Sequence, residues 1–288
     1  MEFENLNYKF EIMKTEIEPG TVIAHTDMGD GEPVVFLHGL GSYIPAWNKN
    51  LDFLSKHFRC IAVDLPGYGK SSKILHPATM EYYAAVIIYL MKILGYDQFT
   101  VCGHSMGGVI ALKLAIDHPD KINKMVLVAP GGAETYTDDE KLLIESYLNA
   151  EKIISNNDPQ IANNVKVNFH RFPHDAQFMI DDRIAIRNSP EFLLHATIIA
   201  RSALGVINSD VPYRLGEIRT PTLGLFGERD KLIPNTFVHP TLTPADIIET
   251  FRSKISNITI NTYHETGHFI QFEQPHSFNS DFLKFMMQ

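Results

Sequence analysis

Short apolar runs at Val34 to Leu37, Phe58 to Val63, Phe99 to Cys102 and Met125 to Ala129 alternate with stretches whose apolar residues recur at helical spacing. The runs are too short for helices and rich in β-branched residues, which predicts buried strands. The segments between them, 42–58, 78–95 and 106–119, predict helices. The last carries Val109, Leu112 and Ile116 on one face and stops at Pro119. Such alternation predicts a parallel sheet with helices on both faces. The rhythm breaks at Pro130, Gly131 and Gly132, and from about 133 to 216 every pattern is helical. Thr137 and Glu140 form a capping box ahead of KLLIESYLNAEKIIS, and Ser189 with Pro190 is expected to open the helix EFLLHATIIARSAL. Strand pattern resumes at Thr220 to Phe226. A helix over Thr243 to Ile255, a last strand over Asn257 to Tyr263 and a closing helix near Phe278 to Met287 follow. The expected organisation is an α/β core from 1–130 and 217–288, interrupted by a helical insert at 131–216. An insert there covers the strand ends, where open α/β sheets bind ligands.

Composition adds exclusions. With 44% hydrophobic and 20% charged residues, the 288-residue chain has the make-up of an ordinary globular protein. A net charge of -9 without a basic block speaks against nucleic-acid binding. The polar N-terminal stretch has no signal-peptide character, and no run of about 18 apolar residues is evident, so a cytoplasmic protein without stable membrane insertion is expected. Cys60 and Cys102 each fall inside a strand pattern and are expected to be buried free thiols.

Gly103, His104, Ser105, Met106 and Gly107 form a G-x-S-x-G between a predicted strand and a predicted helix. Alone, such a motif is an ordinary turn. In this context the glycines permit a sharp strand-to-helix turn that thrusts a serine Oγ outward as a nucleophile. A nucleophile needs a base, a group to orient the base and donors for the oxyanion. His268, in GHFIQFEQP just past the last strand, is the candidate base, and Asp230, in GERDKLIP after the preceding strand, the candidate acid. HGLG at 38–41 places the Leu40 N–H beside that of Met106 as a candidate oxyanion hole. Glu228 and Glu134 also follow strands and are rival acids.

Five ordered motifs, HGLG, DLPGYGKSS at 64–72, GHSMGG at 103–108, GERDKLIP at 227–234 and GHFIQFEQP at 267–275, resemble those of the α/β-hydrolase-fold family across the whole core. The resemblance implies a mostly parallel sheet flanked by helices, with an all-helical cap inserted after the sixth strand. It also implies that a strand separates those bearing Cys60 and Cys102, which excludes a disulfide. The implied activity is that of a serine hydrolase. Ser105 attacks, His268 acts as base and then acid, Asp230 holds the imidazole tautomer, and Leu40 and Met106 hold the oxyanion, with no metal or organic cofactor.

GHSMGG is common in carboxylesterases and monoacylglycerol lipases, so the expected substrate is a small to medium hydrophobic ester. The alternatives within the fold are C–C bond hydrolases and proline iminopeptidases. The former typically carry Asn before the serine and Trp after the histidine, where this chain has His104 and Phe269; the latter usually carry Trp where Met106 stands. A ligand-sensing protein retaining the triad is the alternative of another class. In the insert, Phe169, Phe172, Phe178, Met179, Leu194, Ile198 and Leu204 are candidate pocket residues, or else the insert's own core. His264, Glu265 and His268 match the zinc-protease pattern H-E-x-x-H, but strand pattern and Gly267 oppose the required helix. Pro173 likewise separates His170 from His174.

Overall fold

The computed structural model describes all 288 residues. Eight strands form one sheet: β1 (Met13–Glu18), β2 (Thr21–His25), β3 (Pro33–Leu37), β4 (Arg59–Val63), β5 (Phe99–His104), β6 (Ile122–Val128), β7 (Thr222–Gly227) and β8 (Ile258–Tyr263). Their order is β1-β2-β4-β3-β5-β6-β7-β8. From β4 to β8 neighbours run parallel, while β2 is antiparallel to both β1 and β4. The hairpin β1–β2 is the part of the sheet that the hydrophobic pattern does not predict. Its edge strand exposes most of its side chains to solvent, so MKTEIE carries almost no apolar signal.

β5 is buried at every position, as its unbroken apolar run requires of a central parallel strand. Cys60 on β4 and Cys102 on β5 are buried free thiols with β3 between their strands. Helices Met80–Ile93, Met106–Asp117 and Pro244–Lys254 pack one side of the sheet with the larger apolar cluster. Pro275–Met286 and the Trp47 region cover the other. Segment 42–58 holds only a short 3-10 turn, Ile44–Trp47, and the four-residue helix Leu51–Leu54.

Between β6 and β7 lie helices and no strand. Thr137 and Glu140 close their capping box, and Asp138–Tyr147 and Ala150–Ser155 split the expected first helix. The long helix begins at Phe192 rather than at Pro190, and the Ser189 hydroxyl donates to Glu2 Oε2 at 2.8 Å while accepting from the Glu191 N–H at 3.3 Å. By length and composition the run Phe192–Glu217 resembles a membrane span, contrary to the expectation that none would. Here its apolar side chains are divided among the core, the cavity described next and solvent, to which Leu193 and Tyr213 are exposed.

Candidate active site

Ser105 stands between β5 and helix Met106–Asp117 with φ 55° and ψ -115°, a left-handed conformation that costs a non-glycine residue energy. The surrounding backbone enforces it. A Cβ on Gly103 would collide with the Gly107 carbonyl, and one on Gly107 with the Leu37 carbonyl. The Ser105 N–H donates to the Val128 carbonyl at 2.9 Å, tying the turn to β6.

Asp230, in the loop after β7, and His268, in the loop after β8, meet across the ends of their strands. The His268 Nδ1–H donates to Asp230 Oδ2 at 2.7 Å, with the two side chains 3% and 5% exposed. Asp230 Oδ1 accepts from the N–H groups of Leu232 at 2.8 Å and Ile233 at 3.1 Å. The carboxylate is therefore held from both sides, and the proton on Nδ1 leaves Nε2 as the basic nitrogen. Ser105 and His268 line the same cavity without a direct hydrogen bond, an arrangement that tightens in many hydrolases only once substrate is bound.

The HGLG turn is braced by His38, whose Nδ1–H donates to the Gly39 carbonyl at 2.8 Å while Nε2 accepts from Leu65 N–H at 3.1 Å. Burial lowers the pKa of this ring, keeping it neutral as that double role requires. Leu40 N–H makes no backbone bond, and Met106 N–H belongs to the unpaired first turn of its helix. Both residues line the cavity beside Ser105.

The rival acids are engaged elsewhere. Glu228 accepts from the exposed His264 ring at 2.9 Å, and Glu134 accepts from Asn235 N–H at 2.9 Å and the His239 ring at 2.7 Å. Residues 264–268 follow β8 as a turn and not a helix, so His264 and His268 do not share a helical face. No cluster of three or more potential metal ligands occurs.

Two features went unrecognised in the sequence. Glu273 accepts from Gly267 N–H at 2.7 Å and from His170 N–H at 3.0 Å, pinning the His268 loop to the insert. Its burial raises its pKa while those amides oppose the rise. Arg183, in helix Gln177–Ala185, presents its guanidinium to the cavity with no carboxylate partner and donates to the Gly41 carbonyl at 2.7 Å. Burial lowers its pKa from the usual guanidinium value.

The cavity has a volume of about 710 Å³. None of Phe169, Phe172, Phe178, Met179, Leu194, Ile198 and Leu204 lines it, which corrects the expected pocket. Phe169 stacks on Phe269 at 5.1 Å and joins the core with Met179, while Phe172 and Phe178 pack against that core. Ile198 is buried against Gly67, and Leu194 points to solvent. Leu204 lies one position beyond the cavity-facing Ala203. The long helix instead presents Phe192, His195, Ile199, Ala203 and Val206 to the cavity.

A family model for the alpha/beta hydrolase fold matches residues 32–275. The chain is 28% identical over 279 residues to 2-hydroxy-6-oxo-6-phenylhexa-2,4-dienoate hydrolase of Comamonas testosteroni, covering 93% of this chain and 92% of the relative. It is also 28% identical over 288 residues to 2-hydroxy-6-oxononadienedioate/2-hydroxy-6-oxononatrienedioate hydrolase of Burkholderia vietnamiensis, covering 94% and 93%. Among solved structures, a probable hydrolytic enzyme from Pseudomonas aeruginosa PAO1 superposes with a TM-score of 0.86 at 22% identity, covering 99% of this chain and 97% of the other. With its serine elbow, its sheet order and a family match across most of its length, the chain belongs to the α/β-hydrolase-fold family.

Proposed function

We propose that the protein is a serine hydrolase that cleaves a carbon–carbon bond next to a ketone in a carboxylate-bearing, largely apolar substrate. The observation that carries this reading is Arg183, a cation without a carboxylate partner in the wall of the cavity that holds Ser105 and His268. A half-buried cation with no carboxylate partner is suited to pair with an anion, and an ordinary apolar ester offers none. The relatives named above act on oxo-dienoates, whose carboxylate meets that need.

In this reading Ser105 Oγ attacks the ketone carbon as His268 Nε2 takes its proton, and the oxyanion accepts hydrogen bonds from Leu40 and Met106. The C–C bond then breaks and its electron pair leaves on the neighbouring carbon. That requires the substrate chain to have ketonised first, so that the pair delocalises onto an oxo group. His268 returns its proton to this carbon. Water, deprotonated by His268, then cleaves the acyl-Ser105 ester, so that one water is consumed per bond broken. Asp230 keeps Nδ1 protonated throughout.

Ester hydrolysis is the second reading, favoured by His104 and Phe269 at the positions where C–C hydrolases typically carry Asn and Trp. Both are decided by one comparison. Purified enzyme is given 2-hydroxy-6-oxo-6-phenylhexa-2,4-dienoate, followed by loss of its visible absorbance, and p-nitrophenyl benzoate. We expect kcat/KM for the dienoate to exceed that for the ester by about a hundredfold or more, with both lost in Ser105→Ala. Arg183→Gln is expected to raise KM for the dienoate about 30-fold, the size of a lost, partly buried charge pairing of ~2 kcal/mol. An inert dienoate beside a rapidly cleaved ester replaces this reading with the second.

A further inference from the structure

The first ten residues carry no motif, yet Phe3 and Leu6 stand in the wall of the reaction cavity. Phe3 is 1% exposed and packs edge-on against His195 with ring centroids 4.9 Å apart. With Leu6, Tyr43 and Ile186 it forms an apolar cluster separate from both faces of the sheet. Tyr43 and Ile186 line the cavity too, as does Arg183, which is bonded to the same 39–43 loop. The segment thus closes the part of the cavity that holds the free guanidinium.

It is held from several directions. Glu2 accepts from Ser189 of the insert at 2.8 Å. The Lys73 ammonium, which donates to the Gly69 and Ser71 carbonyls, lies 4.2 Å from the centre of the Phe3 ring. The Tyr8 hydroxyl donates at 2.6 Å to Asp64, whose carboxylate also accepts from Ile44 and Lys70 N–H groups, both at 2.7 Å. The exposed pairs Lys14 with Glu4 and Lys9 with Asp52 add little, since solvent screens them. A segment bonded to core and insert alike, with two apolar side chains driven inward, behaves as wall and not as a mobile flap.

We infer that residues 2–8 form a fixed stop in which Phe3 and Leu6 set the length of substrate accepted on the Arg183 side of the cavity. The inference holds whichever bond is cleaved. A substrate group longer than the space between Ser105 and these two side chains meets packed carbon on that side.

The test uses boronic acids, which form a reversible tetrahedral adduct with an activated serine. Two series from butyl to dodecyl are measured by calorimetry on the full chain, one of plain alkyl chains and one with a terminal carboxylate. We expect wild-type affinity to stop rising partway along each series. In Phe3→Ala/Leu6→Ala the break should move to longer chains, so that the dodecyl-to-butyl affinity ratio rises at least about tenfold. Leu6→Phe should move it to shorter ones, and this variant decides the matter if the double variant does not fold. Length profiles unchanged in the variants that fold overturn the inference. Carboxylates bound no better than plain chains count against the role of Arg183 in the preceding section, while the alkyl series still tests the wall.

Discussion

Replacing Asp230 by Asn perturbs a single proton. Asp230 Oδ1 accepts from the Leu232 and Ile233 N–H groups, so an asparagine there keeps its carbonyl toward those donors and turns its NH₂ toward His268. Two donors cannot face one another, so Nδ1 must give up its proton and Nε2 must carry it. The base that Ser105 needs then becomes a donor. The equivalent change in a serine protease triad lowers turnover about 10⁴-fold. At 1.36 kcal/mol per decade that is a barrier increase of roughly 5 kcal/mol. A loss of several orders of magnitude is expected here, because side chains only 3% and 5% exposed leave no water to substitute for the lost acceptor. Glu134→Gln and Glu228→Gln should stay within about tenfold, or ~1.4 kcal/mol of barrier, since these carboxylates serve His239, Asn235 and His264. The assay is kcat on the dienoate proposed above, with the rate of fluorophosphonate labelling of Ser105 as a readout independent of substrate. Matching circular dichroism and melting curves establish that the variants fold. A near-wild-type Asp230→Asn beside a crippled Glu134→Gln would refute the reasoning and place the acid after β6.

Gly103→Ala should lower stability by about 1–3 kcal/mol in urea, the usual cost of forcing a methyl into closed backbone, because its Cβ meets the Gly107 carbonyl. An unchanged unfolding midpoint would show that the elbow is looser than described. His195 is buried with Nδ1–H donating to the Gly67 carbonyl, and burial pushes its pKa down to about 3 from 6.5. The unfolded chain therefore binds the extra proton first, and stability falls as pH drops from 6.5 toward 3. At pH 5 the fall is at most about 2 kcal/mol, from 1.5 pH units at 1.36 kcal/mol each. His195→Gln should lose less stability than wild type between pH 7 and pH 5, and parallel declines would sink the assignment. Activity should survive EDTA, and His264→Ala should be far milder than His268→Ala, since His264 is a surface residue and His268 lines the cavity together with Ser105. EDTA-sensitive turnover with about one zinc per chain would reverse that ranking.

The core strands and the candidate catalytic constellation were legible because each is written locally. β3 to β7 carry short apolar runs and β8 a β-branched one, and Ser105, Asp230 and His268 each lie within a few residues of a strand end, so strand pattern alone brings them to one edge. The capping box at Thr137 and Glu140 was legible for the same reason: both partners lie within one turn. β1 was not, because an edge strand facing solvent alternates polar with polar. Glu273 was not, because its partners at 170 and 171 lie about a hundred residues away. Arg183 looks like any surface arginine on a mixed helix until the 39–43 loop closes over it.

The missed pocket has a more specific cause. Helix Phe192–Ile207 is apolar on two faces, one against the core and one against the cavity, and periodicity reports only that a residue is apolar. Ile198 and Ile199 are chemically identical neighbours, yet the first is sealed against Gly67 and the second lines the cavity. A rotation of about 100° per residue separates the two fates. That rotation is set by contacts distant in sequence, among them the bond from His195 to Gly67 and the seat of Phe3 on the His195 ring. The same segment that bounds the cavity thus helps fix which face of the helix lines the adjoining wall. Substrate selection in this protein is accordingly written in the packing of residues 2–8 and 192–207 against each other, and the chemistry in motifs that carry no trace of it.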